Sequence, residues 1–87
     1  MNANDKQRLE SLERIGSAIL RSRELNKAIA ADLRKNLLAL EALPVRLEAC
    51  IARHESMIAA ADATAEDCRD LLAVIQSSIN AIKEGQP

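Results

Sequence analysis

Apolar and small residues recur at a helical spacing through the second half of the chain. The steps between them alternate four and three without a slip, at Leu47, Ile51, His54, Ile58, Ala61, Ala65, Cys68, Leu72, Ile75, Ile79 and Ile82. This spacing is typical of the seam along which one long helix packs against others. Only His54 breaks its apolar character. We therefore predict that most of this half is a helix packed along its whole length.

The first half shows a similar pattern that is weaker in the middle. Asn4 and Gln7 are predicted as an N-cap and N3 pair, and a helix is predicted from about residue 5 to residue 42. Gly16, Ser22 and Asn26 interrupt its apolar face. The apolar positions of this face are Leu9, Leu12, Ile15, Ile19, Leu25, Ile29, Leu33, Leu37 and Leu40.

Pro44 is the strong helix breaker in the body of the chain. It disfavours a helical conformation at Leu43 and suits the first turn of a new helix. A turn is predicted at residues 42–44, followed by a helix from about 45 to 84 that ends at the stop signal formed by Lys83, Gly85 and Pro87. The result is a single all-α domain, a long antiparallel hairpin in which Leu33 faces His54 and Leu12 faces Ile75.

Two other arrangements are open. Asp62 and Thr64 are acceptable N-caps, so a break at residues 61–64 would give a three-helix bundle, and a second break at Ser22 would give four helices. No Gly or Pro marks either place, and the four-three spacing continues through residues 62–64. The long hairpin is therefore preferred.

Size and composition favour association of the hairpin with a second copy. The chain has 87 residues and no Phe, Tyr or Trp, so its core is small, and oligomerisation is a common remedy. We predict a homodimer that forms a four-helix bundle, with an oligomer seam at Leu47, Ile51, Ile58, Leu72, Ile75 and Ile79. Further apolar residues flank the predicted seams and widen them, namely Leu20, Leu38, Leu43, Val45, Met57, Leu71 and Val74.

Charge and cysteine content bear on compartment and partners. The net charge is −1, which gives no overall attraction to nucleic acid or anionic lipid. No long apolar run follows the polar N-terminus, and Cys50 and Cys68 form no metal-binding or redox motif. We expect a cytoplasmic protein that does not enter a membrane.

No residue pattern typical of catalysis is present. The chain has no phosphate-binding loop and no nucleophile elbow, and a single histidine without cysteine ligands makes a poor metal site. We expect a non-enzyme without metal or cofactor. His54 is interpreted as a partly buried side chain bonded to a neighbour such as Glu55; a second hypothesis makes it a pH-responsive group in the dimer core.

The candidate interaction residues are Arg21, Arg23, Asn26, Lys27 and His54. The basic side chains are interpreted as solubilising flanks that pair with Glu48, Glu55, Glu66 and Asp70 of the other helix. Gly16, Ser22, Asn26, Ala61 and Ala65 form a waist of small residues, which lets the helices approach closely or, alternatively, provides a polar notch for a partner.

The function predicted from these features is that of a small helical adaptor or inhibitor that binds another protein through helix–helix contacts. A chaperone, anti-activator, antitoxin or inhibitor from a phage or other mobile element would fit. One alternative is a nucleic-acid-binding regulator, because the predicted bundle resembles the ROP-type plasmid regulators in architecture, although no motif matches. The lack of aromatic residues disfavours single-stranded nucleic acid. A structural coiled-coil oligomerisation module is the other alternative, disfavoured by the Met1 start and the Gly85 to Pro87 stop.

Overall fold

A computed structural model of the protein describes residues 2–85, which form two long helices joined by a short connection. Helix α1 spans Ala3–Glu41 and helix α2 spans Glu48–Lys83. The two lie antiparallel as a hairpin of 66 × 15 × 14 Å, and no strand occurs among the described residues. The prediction of an all-α protein built as a long helical hairpin is confirmed.

The start of α1 and the end of α2 both carry recognisable caps. The Asn2 side chain accepts a hydrogen bond from the Asp5 amide at 2.8 Å, so α1 begins two residues earlier than the predicted Asn4 cap. At the end of α2, Gly85 has a φ of 73° and its amide donates to the carbonyl of Ile82 at 3.0 Å. This left-handed glycine ends the helix as the sequence predicts; Gln86 and Pro87 lie outside the described residues.

The connection is longer than the predicted turn and covers residues 42–47. Pro44 lies inside it and does not open α2. The N-cap of α2 is Leu47, whose ψ of 78° is not helical and whose side chain makes no capping bond. None of residues 45–47 is a good capping residue, and α2 begins at Glu48, three residues later than expected.

Neither of the predicted breaks occurs. Helix α2 continues through residues 61–64, where the Thr64 hydroxyl donates to the Ala60 carbonyl at 3.0 Å, as it does in a helix interior. Asp62 binds Arg34 of α1 at 2.5 Å and does not cap a new helix. Helix α1 likewise continues through Ser22. The three-helix and four-helix alternatives are wrong for the single chain.

The core lies between the helices and follows the predicted seam of α2. All the buried residues of α2 belong to that seam, namely Ile51, Ile58, Ala61, Ala65, Cys68, Ile79 and Ile82. In α1 the buried residues are Ala30 and Leu33, and the half-buried positions include Leu9, Leu12, Gly16, Ile19, Asn26, Leu37 and Leu40. The α1 seam therefore runs through Gly16, Asn26 and Ala30, and the prediction that Ile15, Leu25 and Ile29 belong to it is wrong.

The register of the hairpin differs by about one helical turn from the predicted one. A Cβ built on Gly16 would lie 3.6 Å from Cγ2 of Ile75, whereas the predicted register placed Leu12 opposite Ile75. The longer connection accounts for this direction of shift. The connection extends further toward α2 than predicted, which moves the middle of the chain reversal in the same direction.

Candidate interaction surface

The hairpin has two broad faces, which are defined by the residues on either side of each seam. In an antiparallel helix pair, the residues that follow seam positions on the two helices face each other along one side, and those that precede them share the other side. Arg34 follows the seam residue Leu33, and Asp62 follows the seam residue Ala61. Their ion pair at 2.5 Å shows which flanks of α1 and α2 meet on the first side.

This first side is charged, and we call it the charged face. Lys27, Asp62, Glu66 and Arg69 line one shallow cavity between the helices there. All are exposed. Other exposed charged residues that follow seam positions are Glu10, Glu13, Glu41, Glu48, Glu55 and Lys83.

The opposite side carries large apolar side chains that stay uncovered within residues 2–85. Six of them precede seam positions, and we call this surface the apolar face; its members are Ile15, Leu25 and Ile29 of α1 and Met57, Leu71 and Val74 of α2. Their exposed fractions run from 41% at Ile29 to 63% at Val74. Between them lie the small residues Ala18, Ser22, Ala60 and Thr64. Asp32 and Asp67 are the charged residues on this stretch of the face, and Arg53 lies just beyond Met57.

The segregation of apolar residues between the two faces is strong. Of the exposed large apolar residues in the helices, only Leu20 and Leu38 follow seam positions. The others in the described chain, Leu43, Val45 and Leu47, lie in the connection. The flanking residues that the sequence singled out are thus exposed, and three of them belong to the apolar face. Ile15, Leu25 and Ile29, assigned from sequence to the α1 seam, complete it.

Most residues of the predicted oligomer seam are instead used inside the chain. Ile51, Ile58 and Ile79 are buried between the helices, Leu72 and Ile75 are half-buried there, and Leu47 is exposed in the connection. A helical seam in a sequence does not say which helix covers it, and here α1 does so. The large apolar side chains that stay exposed on the helices lie mainly on the neighbouring apolar face.

The waist is present, with a composition slightly different from the predicted one. Ala30 is the most buried residue of the described chain, at 1% exposure, and Ala61 and Ala65 are buried on α2. The side-chain amide nitrogen of Asn26, Nδ2, donates to the Ser22 carbonyl at 2.8 Å, so this polar side chain has a hydrogen-bond partner within α1. Small side chains thus line the middle of the hairpin. The sequence analysis did not assign Ala30 to the waist, because the larger neighbours Ile29 and Leu33 determine the apolar pattern at this point of the sequence.

The predicted interaction residues do not form one cluster. Arg21 is exposed, whereas Arg23 is half-buried and lines the same cavity as Lys27. His54 lies on the α2 seam, half-buried, and its Nδ1 donates to the Cys50 carbonyl at 2.9 Å instead of binding Glu55. The pH-responsive role of His54 stays a prediction.

The ion pairs differ from the predicted pairing between helices. Glu66 and Asp70 bind Arg69 of their own helix, and Glu48 binds Arg46 of the connection. Among residues 2–85, Arg34 with Asp62 is the ion pair that joins α1 to α2. Packing of the seams, more than charge pairing, therefore holds the hairpin together.

The described part of the chain contains no group of three or more His, Cys, Asp or Glu side chains placed to hold a metal ion. Neither α1 nor α2 combines the length and the apolar character needed to cross a lipid bilayer. Cys50 and Cys68 are both free thiols.

Comparison of the chain with protein-family models, with curated proteins and with solved structures finds no match.

Proposed function

We propose that this protein is a non-catalytic helical interaction module. Two hairpins pair through their apolar faces into a four-helix bundle, and the dimer regulates another protein by binding it through helix–helix and charged contacts. The observation that carries this proposal is the segregation of exposed apolar side chains. Six lie together on one broad face, while the opposite face is charged. A face of this kind is typical of a protein-interaction surface.

The size of the apolar face supports pairing with a second copy. The hairpin is 66 Å long and 15 Å wide, so a fully covered face would have an area on the order of 1,000 Å² per chain, against ~800 Å² per partner in a typical stable interface. The seam of a two-helix pair leaves this face open, and a second hairpin of equal length covers it completely. Four helices then share one core, as in other bundles.

The charged face remains free in this dimer and provides the surface for a target protein. Its cavity contains both signs of charge, with Lys27 and Arg69 beside Asp62 and Glu66. Such a mixed surface suits a protein with complementary charges. It is poorly suited to nucleic acid, which requires a basic surface along the phosphate backbone.

The first test is the mass in solution, measured by light scattering with refractive-index detection because the chain lacks Trp and Tyr. We expect twice the chain mass of 9.5 kDa. Leu71→Glu, on the apolar face, should give a helical monomer. Leu38→Glu is the matched control, since Leu38 is also exposed but follows a seam position. A monomeric wild type, or equal loss of association in both variants, would contradict the proposal.

The second test locates the target protein. A photo-crosslinking amino acid is placed at Leu25, on the apolar face, or at Glu66, on the charged face, and irradiated in cells. The Leu25 position should yield an adduct of two copies of this chain, and the Glu66 position an adduct with a different protein. A heterologous adduct at Leu25 without a self-adduct would show that the apolar face serves another partner.

A further inference from the structure

We infer that the two hairpins pair with their connections at the same end, so that α1 of one copy lies against α2 of the other. This inference rests on the proposed dimer and adds its orientation. Two hairpins that pack face to face can be related by a two-fold axis in two orientations. With the connections at the same end, each α1 covers the partner's α2; with the connections at opposite ends, α1 covers α1 and α2 covers α2.

The outer edges of the apolar face have opposite charges. Along α1 the outer edge is mainly basic, with Arg14, Arg21 and Lys35 spaced by whole heptads and Asp32 as the acidic exception. Along α2 the middle of the apolar face is bordered by Asp70, which lines one surface pocket together with Asp67, Leu71 and Val74. Arg53, nearer the connection, is the basic residue on this side of α2. The helices as a whole follow the same trend. Residues 1–43 hold eight basic and six acidic residues, and residues 44–87 hold four and seven.

The register places these edge charges at matching heights along the hairpin. Gly16 lies level with Ile75, because a Cβ built on Gly16 would contact that side chain at 3.6 Å. Arg21 lies five residues further along α1, and Asp70 lies five residues back along the antiparallel α2. Arg21 and Asp70 are therefore level with each other, on opposite edges of one hairpin.

A same-end dimer turns this relationship into contacts between chains. Its two-fold axis runs parallel to the helices and keeps every residue at its own height. Arg21 then meets Asp70 of the second copy, and the same pair forms again on the other edge. Because opposite charges meet on both edges, this orientation is favoured.

The opposite-end dimer has the reverse electrostatics. It places the basic edge of α1 against the basic edge of the second α1, with Arg14 near Lys35 of the second copy when the apolar faces are centred on each other. It also places Asp67, within the apolar face, close to Asp67 of the second copy. Like charges at an interface are unfavourable, so the structure favours the same-end arrangement.

The experiment measures the distance between the two connections. Val45, exposed in the connection, is replaced by Cys and spin-labelled in a chain carrying Cys50→Ser and Cys68→Ala. Pulsed dipolar spectroscopy should give a distance below ~35 Å, because neighbouring helices pack ~10 Å apart. A distance near the 66 Å length of the hairpin in a sample of dimeric mass would overturn the orientation alone. A monomeric mass for the unmodified chain would overturn the proposed dimer itself.

Charge reversal provides a second measurement that does not depend on the labelled chain. Arg21→Glu should raise the dimer Kd by about three- to tenfold at low salt, because an exposed attractive pair becomes repulsive on both edges. The double variant Arg21→Glu with Asp70→Arg should restore the wild-type Kd. In an opposite-end dimer, the register that brings Arg14 to Lys35 places Arg21 opposite Ala28 of the second copy, so Arg21→Glu would leave the Kd unchanged or lower it. A raised Kd that the double variant restores therefore separates the two orientations.

Discussion

The Arg34 guanidinium binds the Asp62 carboxylate at 2.5 Å across the hairpin. Each of these residues follows a seam position on its own helix, so their pairing identifies the charged face and, by exclusion, the apolar face opposite. Both side chains are about half exposed. Their contribution is therefore to register and orientation more than to stability.

A double-mutant cycle at Arg34 and Asp62, each replaced by Ala, measures how much this ion pair contributes to the stability of the hairpin. We expect a coupling free energy of ~0.2–1 kcal/mol, as for other exposed ion pairs, and a smaller value in 1 M salt because the charges are screened. The free energy of unfolding is measured by urea titration at a fixed protein concentration. A coupling above ~2 kcal/mol would show that the pair is desolvated.

Gly16→Ala should stabilise the protein. Glycine in a helix interior costs ~1 kcal/mol relative to alanine, and the added Cβ would lie at ordinary contact distance, 3.6 Å, from Ile75. We expect the free energy of unfolding to rise by about 0.5–1 kcal/mol, measured by circular dichroism during urea titration. Ser17→Ala, at an exposed neighbouring position, is the control. A loss of stability in Gly16→Ala would mean that the helices approach more closely at Gly16 than the structure shows.

Ala30→Leu should destabilise the hairpin at its waist. Ala30 is 1% exposed and lies in the same narrow part of the core as Ala61. A leucine there forces the helices apart or into other rotamers, at a cost of ~1–3 kcal/mol. Ala31→Leu, at the exposed neighbouring position, should change the free energy of unfolding by less than ~0.5 kcal/mol. Similar effects of the two variants would argue against a tightly packed waist.

Gly85→Ala should loosen the end of α2 without affecting the rest of the hairpin. The φ of 73° at Gly85 costs a residue with a Cβ ~1–2 kcal/mol, and the last turn can fray to avoid that strain. Amide hydrogen exchange should therefore become faster in residues 80–85, with no change in residues 51–72. Glu84→Ala is the control, because Glu84 has ordinary helical angles. Unchanged exchange at the end of α2 would show that the left-handed cap does not hold the last turn.

The sequence determined the elements and the α2 seam. The unbroken four-three spacing from Ile51 to Ile82 depends only on the period of the α-helix, and every buried residue of α2 belongs to it. Pro44 placed the reversal of the chain near its midpoint for a similarly local reason, because proline disfavours a helical residue before it. The exposed flanking residues Met57, Leu71 and Val74 also followed from spacing alone.

The tertiary structure decided what depends on the approach of one helix to the other. In α1, the larger side chains of Ile15, Leu25 and Ile29 compete in the sequence pattern with Gly16, Asn26 and Ala30. In the structure the smaller residues lie on the seam, where their side chains take up little space between the helices. This arrangement leaves Ile15, Leu25 and Ile29 exposed on the apolar face, and Arg34 meets Asp62 on the other side. No periodicity within a single helix contains this information, because it arises from how two helices fit together.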